Sequence, residues 1–208
     1  MPKGSEELTN ARKEEIINAC ASLYETMGFK DITIRDIGAK TSFTRTSIYN
    51  YFQTKEEIFL ALLQREYEAW TLDLKTLLEG DDTLSLERFA SELAHTLEPR
   101  ECMLKLVSMN LYDMEGNSRM ENLVAFKKVY AGAMEAVACC LEKFFPAMAA
   151  EDIQEFLYAF FPFLFGVYPY SVPTKKQREA MEAAQVNYAR YTIYELTRSF
   201  VFKLLKSF

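Results

Sequence analysis

TIRDIGAKTSFTRTSIYNYFQTKEEIF, residues 33–59, reads as two short helices around a tight turn, followed at once by a capped third helix. Thr33 with Asp36 three residues on resembles a capping box, the acid standing in for the usual Glu, and Ile34 and Ile37 supply an apolar face to about Lys40. Thr41, Ser42 and Phe43 make a short polar break. Thr44 is placed to cap a second helix in which Ser47 points away from the face carrying Ile48 and Phe52. The exposed side then holds Arg45, Thr46, Ser47, Tyr49 and Asn50. These side-chain types hydrogen-bond to phosphates and base edges, and one short turn after another helix they predict a helix-turn-helix whose second element enters the major groove. Thr54 with Glu57 is a full capping box that opens the next helix.

The ordered set Gly28-Phe29, Thr33, Ile37-Gly38, Thr44, Tyr49-Asn50-Tyr51-Phe52 and Lys55-Glu56-Glu57-Ile58 resembles the N-terminal signature of the tetracycline-repressor (TetR-type) family of one-component bacterial transcriptional regulators. It covers about the first quarter of the chain, where that family carries it. Three positions depart: Gly38 stands where Ala is common, Ser42 where the turn usually has Gly, and Thr46 where the recognition helix often has Gly. The resemblance implies an all-α protein with an N-terminal three-helix helix-turn-helix domain, residues 1–54, and a C-terminal helical ligand-binding and dimerisation domain, residues 55–208. It implies that Thr33, Tyr49 and Lys55 contact phosphates and that Arg35, Arg45, Thr46, Ser47, Asn50 and Tyr51 face bases or backbone. Thr44, at the start of the same helix, joins the DNA-contacting set. The alternative for Tyr49 and Tyr51 is that both are core aromatics.

A chain of 208 residues, 50% hydrophobic and 26% charged, can bury a small domain plus a larger one, which excludes disorder and collagen-like repeats. The opening MPKGSEELTNARKEE lacks the apolar run of a signal peptide, and no stretch reaches the ~18 uncharged apolar residues of a membrane span, so a cytoplasmic protein without membrane partners is expected. The net charge of −6 looks wrong for a DNA binder. Between Gly28 and Lys55, however, five bases (Lys30, Arg35, Lys40, Arg45, Lys55) face two acids (Asp31, Asp36). Acidity elsewhere repels DNA and leaves one basic face to dock, although by itself a local surplus is an ordinary solvated helix face.

The remainder reads as helical. Ile16, Ile17, Cys20, Leu23, Tyr24 and Met27 recur at helical spacing from about Asn10 to Met27, with Gly28 as terminator. A long helix is predicted from Lys55 to Glu79, stopping at Gly80 before Asp81-Asp82-Thr83. Leu86, Phe89, Leu93 and Leu97 mark another helix, ending near Pro99. Met103 to Met109 suggest a shorter one, and Glu115-Gly116-Asn117 reads as a loop. Ser118 with Glu121 looks like a second full capping box, opening a helix that closes at Phe144-Phe145-Pro146. Ile153 to Tyr168 is apolar nearly all round, with Pro162 expected to kink it unless a new helix starts there. Thr174 is predicted to start one last long helix running to Leu204.

Cys20, Cys102, Cys139 and Cys140 lack metal-ligand spacing relative to one another and to His95, and buried thiols are the plain reading, with a redox role for Cys139-Cys140 as the alternative. No nucleophile elbow, phosphate cradle or metal cluster suggests an enzyme, and no cofactor is implied. A helical protein-interaction adaptor without DNA binding would suit the aromatic C-terminal half but leaves Arg45 to Lys55 unexplained.

By resemblance, the partners are a double-stranded operator, a second copy of the chain and a small hydrophobic effector. A single reading head specifies too few base pairs, so a homodimer through helices near 153–167 and 185–205 is expected, the alternative being that both are central helices of a monomer. For the effector the family's pocket geometry nominates Trp70, Met103, Leu106, Met109, Tyr112, Phe126, Tyr130, Met134, Phe161 and Phe165, residue types that suit an apolar or aromatic guest but also make plain core.

Overall fold

The computed structural model describes residues 3–80 and 82–208, so Met1, Pro2 and the Asp81 of the expected break lie outside the described residues. The protein is all-α, with no strand among the described residues. Eleven α-helices are seen there: α1 (Lys3–Tyr24), α2 (Ile34–Ala39), α3 (Arg45–Ile48), α4 (Lys55–Glu79), α5 (Leu86–Leu97), α6 (Glu101–Met109), α7 (Leu111–Gly116), α8 (Met120–Phe144), α9 (Ala150–Ser171), α10 (Lys175–Ala183) and α11 (Ile193–Leu205). A 3-10 turn over Glu98–Arg100 carries Pro99 where a missing N–H costs least. No single described helix is long and apolar enough to cross a membrane.

The helices form two compact units. The first holds Met1–Arg65 and Asn110–Val129, the second Glu66–Met109 and Tyr130–Phe208. The first unit thus runs past the expected division at residue 54 and takes in α7 and the start of α8. Its core is made by Ile16, Cys20 and Tyr24 from α1, Ile37 from α2, Ile48 from α3 and Phe59 from α4, all at most 3% exposed. Tyr24 meets the Phe59 ring edge-on at 5.2 Å and donates its hydroxyl proton to Asn110 Oδ1 at 3.0 Å, which satisfies a buried phenol.

α1 ends at Tyr24, with Met27 N–H still bonded to Leu23 O at 2.9 Å. Gly28 does not act as a left-handed terminator, because no described glycine has a positive φ. α7 replaces the loop expected at Glu115-Gly116. The second expected capping box also fails: α8 starts at Met120, Glu121 pairs with Arg119 at 3.5 Å, and the Ser118 hydroxyl is buried without a partner among the described residues.

In the second unit α5 and α6 pack on α11 and α9 respectively, and α11 also packs on α9. α9 continues through both Pro162 and Pro169, and Pro162 sits on its exposed side. One face, Phe156, Phe160, Phe161, Leu164 and Val167, is buried, while Tyr158 and Phe165 on the other remain 68% and 37% exposed. The expected single helix from Thr174 to Leu204 is two. Thr174 caps α10 through Gln177 N–H, the chain leaves helix at Gln185 (φ 54°), and Thr192 with Glu195 forms a new capping box that opens α11. Phe163 and Phe200 then stack between α9 and α11 at 4.1 Å.

Cys20 and Cys140 are buried thiols, and no disulfide joins any of the cysteines among the described residues. Burial pushes the Cys140 thiol up to about 11, with Cys139 adding to the shift, and its Sγ lies 3.7 Å from Leu74 O. A thiol held protonated in this way is a poor nucleophile.

Candidate nucleic-acid interface

Local hydrogen bonds build the reading head from α2 outward. Thr33 is extended (φ −118°, ψ 161°), accepts Asp36 N–H at 3.3 Å and gives its own N–H to Asp36 Oδ2 at 3.0 Å. The Thr33 hydroxyl and amide hold the Asp36 carboxyl below its usual range. Gly38 allows close helix crossing: a Cβ there would lie 3.3 Å from the Arg45 Cα and 3.4 Å from Ile48 Cδ1. The glycine missing from the turn is not needed, since none of residues 41–43 has a positive φ. Instead, the Glu15 carboxylate on α1 accepts both the Ser42 backbone N–H and its hydroxyl, the latter at 3.0 Å, and Thr41 Oγ1 donates to Gly38 O at 3.0 Å.

Thr44 stands at the N-cap position of α3 but makes no side-chain cap bond, its hydroxyl lying 3.0 Å from Ser47 Oγ instead. α3 is one helical turn, continued by turn bonds from Tyr51 N–H and Phe52 N–H to Ile48 O at 2.9 and 3.0 Å. Buried Ile48 and Phe52 anchor it, so Thr33, Arg35, Thr44, Arg45, Thr46, Tyr49 and Asn50 are exposed and Ser47 is half-buried. Arg45 reaches Tyr49 Oη at 3.4 Å and has no carboxylate partner among the described residues. Its charge stays available to a phosphate or to a guanine edge.

Two of the nominated residues are turned to internal partners. Tyr51 is half-buried, its hydroxyl accepting from Arg12 at 3.2 Å and its ring 6.4 Å from Phe43, over which the Arg12 guanidinium also sits. The Lys55 ammonium donates to Phe29 O at 2.7 Å and Ile32 O at 3.1 Å and lies over the Phe29 ring. It ties the α1–α2 loop to α4. Arg12, Glu15 and Arg119, which lock this surface, were not legible as functional residues because their partners lie 27 to 68 positions away.

The effector candidates divide. Trp70, Met103, Leu106, Phe126 and Phe161 are buried, Tyr130 and Met134 half-buried, and Phe165 exposed. Met109 and Tyr112, expected to face the interior, stand at the surface, 60% and 88% exposed. Phe126 and Tyr112 belong to the first unit. Within the second unit Trp70 lies 5.9 Å from Phe161 and 6.1 Å from Tyr67, and Tyr130 lies 5.3 Å from Phe161 and 5.6 Å from Tyr67. Burial pushes both phenols up, so they are neutral donors. Trp70 Nε1 donates to Thr96 Oγ1 at 2.9 Å. Thr96 in turn lines a cleft of about 500 Å³ with Asp73, Thr76, Leu77, Arg88 and Glu92.

The family description "Tetracyclin repressor-like, C-terminal domain" matches residues 64–205, and "Bacterial regulatory proteins, tetR family" matches residues 16–62. The chain belongs to the TetR family. As a member of that family it is a bacterial regulatory protein, and α2 and α3 lie within the stretch that matches the N-terminal description. This TetR-family chain is 30% identical over 63 residues to the uncharacterised HTH-type regulator YfiR of Bacillus subtilis, a stretch that is 30% of this chain and 31% of that protein. It therefore spans less than a third of that curated relative. The structure of FadR from Bacillus subtilis in complex with stearoyl-CoA superposes with a TM-score of 0.61 at 16% identity, covering 92% of this chain and 96% of that one. PfmR from Thermus thermophilus gives 0.57 at 16% identity, with 92% and 97% covered. Identities this low establish the fold alone.

Proposed function

We propose that this TetR-family chain is a repressor that binds a dyad operator as a homodimer and leaves it when a small apolar or aromatic molecule occupies its C-terminal domain. Residues 1–54 supply the reading head and 55–208 the effector and dimerisation part, and work on a bacterial operator puts the protein in the cytoplasm. The observation that carries this reading is the exposed row Arg45, Thr46, Tyr49 and Asn50 over the buried Ile48 and Phe52. Rigid backing under a polar, cationic face is what direct readout requires. Thr33, Tyr49 and the third N–H of Lys55 are assigned to phosphates, and Arg35, Arg45, Thr46, Ser47 and Asn50 to bases or backbone, while Tyr51 is withdrawn from that set because it faces Arg12 and Phe43.

The test is a gel shift against DNA upstream of the chain's own gene, followed by selection from genomic fragments. Arg45→Ala should relax preference at one base pair by roughly 1–3 kcal/mol while leaving random-sequence binding nearly intact. Equal affinity of wild type for every fragment would remove the proposal.

Dimerisation is assigned to the segments near 153–167 and 185–205. Tyr158, Val186 and Tyr191 expose 68%, 51% and 51% of their surface in these segments, apolar surface that a second copy would cover. Light scattering at micromolar concentration should give twice the chain mass. A stable monomer that still binds a dyad site would overturn this assignment.

The effector assignment keeps Trp70, Met103, Tyr130, Met134, Phe161 and Phe165, all of the second unit, as candidates, the Trp70, Tyr130 and Phe161 group foremost because their rings meet. An acyl thioester bound by FadR of Bacillus subtilis lends support to an apolar guest.

A further inference from the structure

The junction between α7 and α8 grips the exit of the reading head. Glu57, 1% exposed, receives four N–H groups: Arg119 Nε at 2.6 Å and Arg119 N at 3.1 Å on Oε1, Arg119 Nη2 at 3.0 Å and Gln53 N at 2.7 Å on Oε2. Arg119 Nη2 also reaches Tyr51 O at 3.4 Å. Beside it Thr54 Oγ1 donates to Asn117 O at 3.0 Å while accepting Glu57 N–H at 3.2 Å. The expected box at the start of α4 is therefore rebuilt, with Thr54 capping as foreseen and Glu57 turned to Gln53 and Arg119.

Such a pair is a poor source of net stability, because taking the Glu57 carboxylate out of water offsets much of what its attraction to the partly exposed Arg119 returns, and apolar residues of similar size do as well. What a guanidinium adds is direction. Its donors lie in a rigid plane, so carboxylate and carbonyl acceptors are held at fixed angles to one another. Here that plane joins the Tyr51 carbonyl, on the segment leaving α3, to Glu57 in the first turn of α4. The angle between α3 and α4 decides which base edges Arg45 and Asn50 can reach.

We propose that Arg119 is a positioning residue for sequence recognition: through Tyr51, Gln53 and Glu57 it fixes α3 against α4 at the angle that brings the reading face onto the operator. The inference rests on the DNA-reading role of α3. It concerns operator preference alone, because binding to random duplex depends on phosphate neutralisation and tolerates a tilted head.

Arg119→Lys, Arg119→Met and the apolar double change Arg119→Met with Glu57→Leu are compared with wild type at a temperature where circular dichroism shows each folded. Affinity is measured for the selected operator and for a random duplex of equal length at one salt concentration. All three variants should lose operator preference on the order of tenfold, the loss of one good base contact, with random-duplex affinity changed less than about twofold. The double variant should recover thermal stability without recovering preference, an outcome that a merely structural pair does not give. Wild-type preference in folded Arg119→Lys and Arg119→Met overturns the proposal. A wild type without operator preference removes the DNA-reading role first, and the positioning role with it.

Discussion

Replacing Glu57 by Ala should lower the free energy of unfolding by an amount toward the lower end of roughly 3–5 kcal/mol, read from the urea midpoint at neutral pH. The side chain is 0% exposed and its removal strands two backbone amides and the Arg119 guanidinium; the 35% exposure of Arg119 lets that group turn to water and limits the loss. The acid limb carries a second signature. Burial pushes the Glu57 carboxyl up, but the Arg119 side chain and the Gln53 and Arg119 amides outweigh it, and the group ends below its ordinary value. A carboxyl depressed by folding contributes stability that is fully present above its unfolded pKa and lost as pH falls through the folded one. Wild type should therefore lose stability on acidification from about pH 5 downward more steeply than Glu57→Gln. Identical acid limbs would mean that the carboxylate is not held as described.

Trp70→Ala should cost roughly 3–5 kcal/mol, the usual range for emptying the site of a large buried aromatic. The indole is 0% exposed, touches Tyr67, Phe160 and Phe161 rings at 6.1, 6.4 and 5.9 Å, and its N–H has Thr96 as partner. Circular dichroism is the suitable probe, because the variant has no tryptophan left. A loss below about 1 kcal/mol would say that the ring lines accommodating space and does not fill core. In wild type the same ring reports on the effector: a hydrophobic compound that releases the operator should shift or quench Trp70 emission. Release with unchanged emission would put the effector elsewhere.

Much of the fold was legible because its signals are local. Thr33 with Asp36 announces α2, the stripe from Ile58 to Leu74 carries α4 to Glu79, and Leu86 to Leu97 gives α5 its limits. Local signals also mislead. Ser118 and Glu121 have the spacing of a cap but find Arg119 and Glu57 competing for the same ground, and the hydroxyl is left over. Thr192 and Glu195 make a true box within a run that also reads as continuous helix, so helical periodicity concealed the break at Gln185. Site residues followed the same division. Exposure of Arg45, Thr46 and Asn50 follows from the burial of Ile48 and Phe52, which periodicity shows. The inward turn of Tyr51 and Lys55 depends on Arg12, Phe29 and Ile32, which no spacing rule connects to them. Met and aromatic residues at helical intervals could not be sorted into core and surface: Met103 went to the first, Met109 and Tyr112 to the second.

The six residues of α2 and the four of α3 have a consequence for the order in which the chain gains its shape. An isolated helix needs about 12–15 residues to offset the cost of its first turn in water. Neither segment has nucleating power of its own. Both must condense onto α1 and α4, which are 22 and 25 residues long and can persist while the reading surface is still coil. During synthesis α2 and α3 leave the ribosome before the α4 residues and the Arg119 that complete their support. The nascent chain therefore stays without a reading head until the first turns of α4 have emerged, and the angle that Arg119 sets is fixed only once the start of α8 follows.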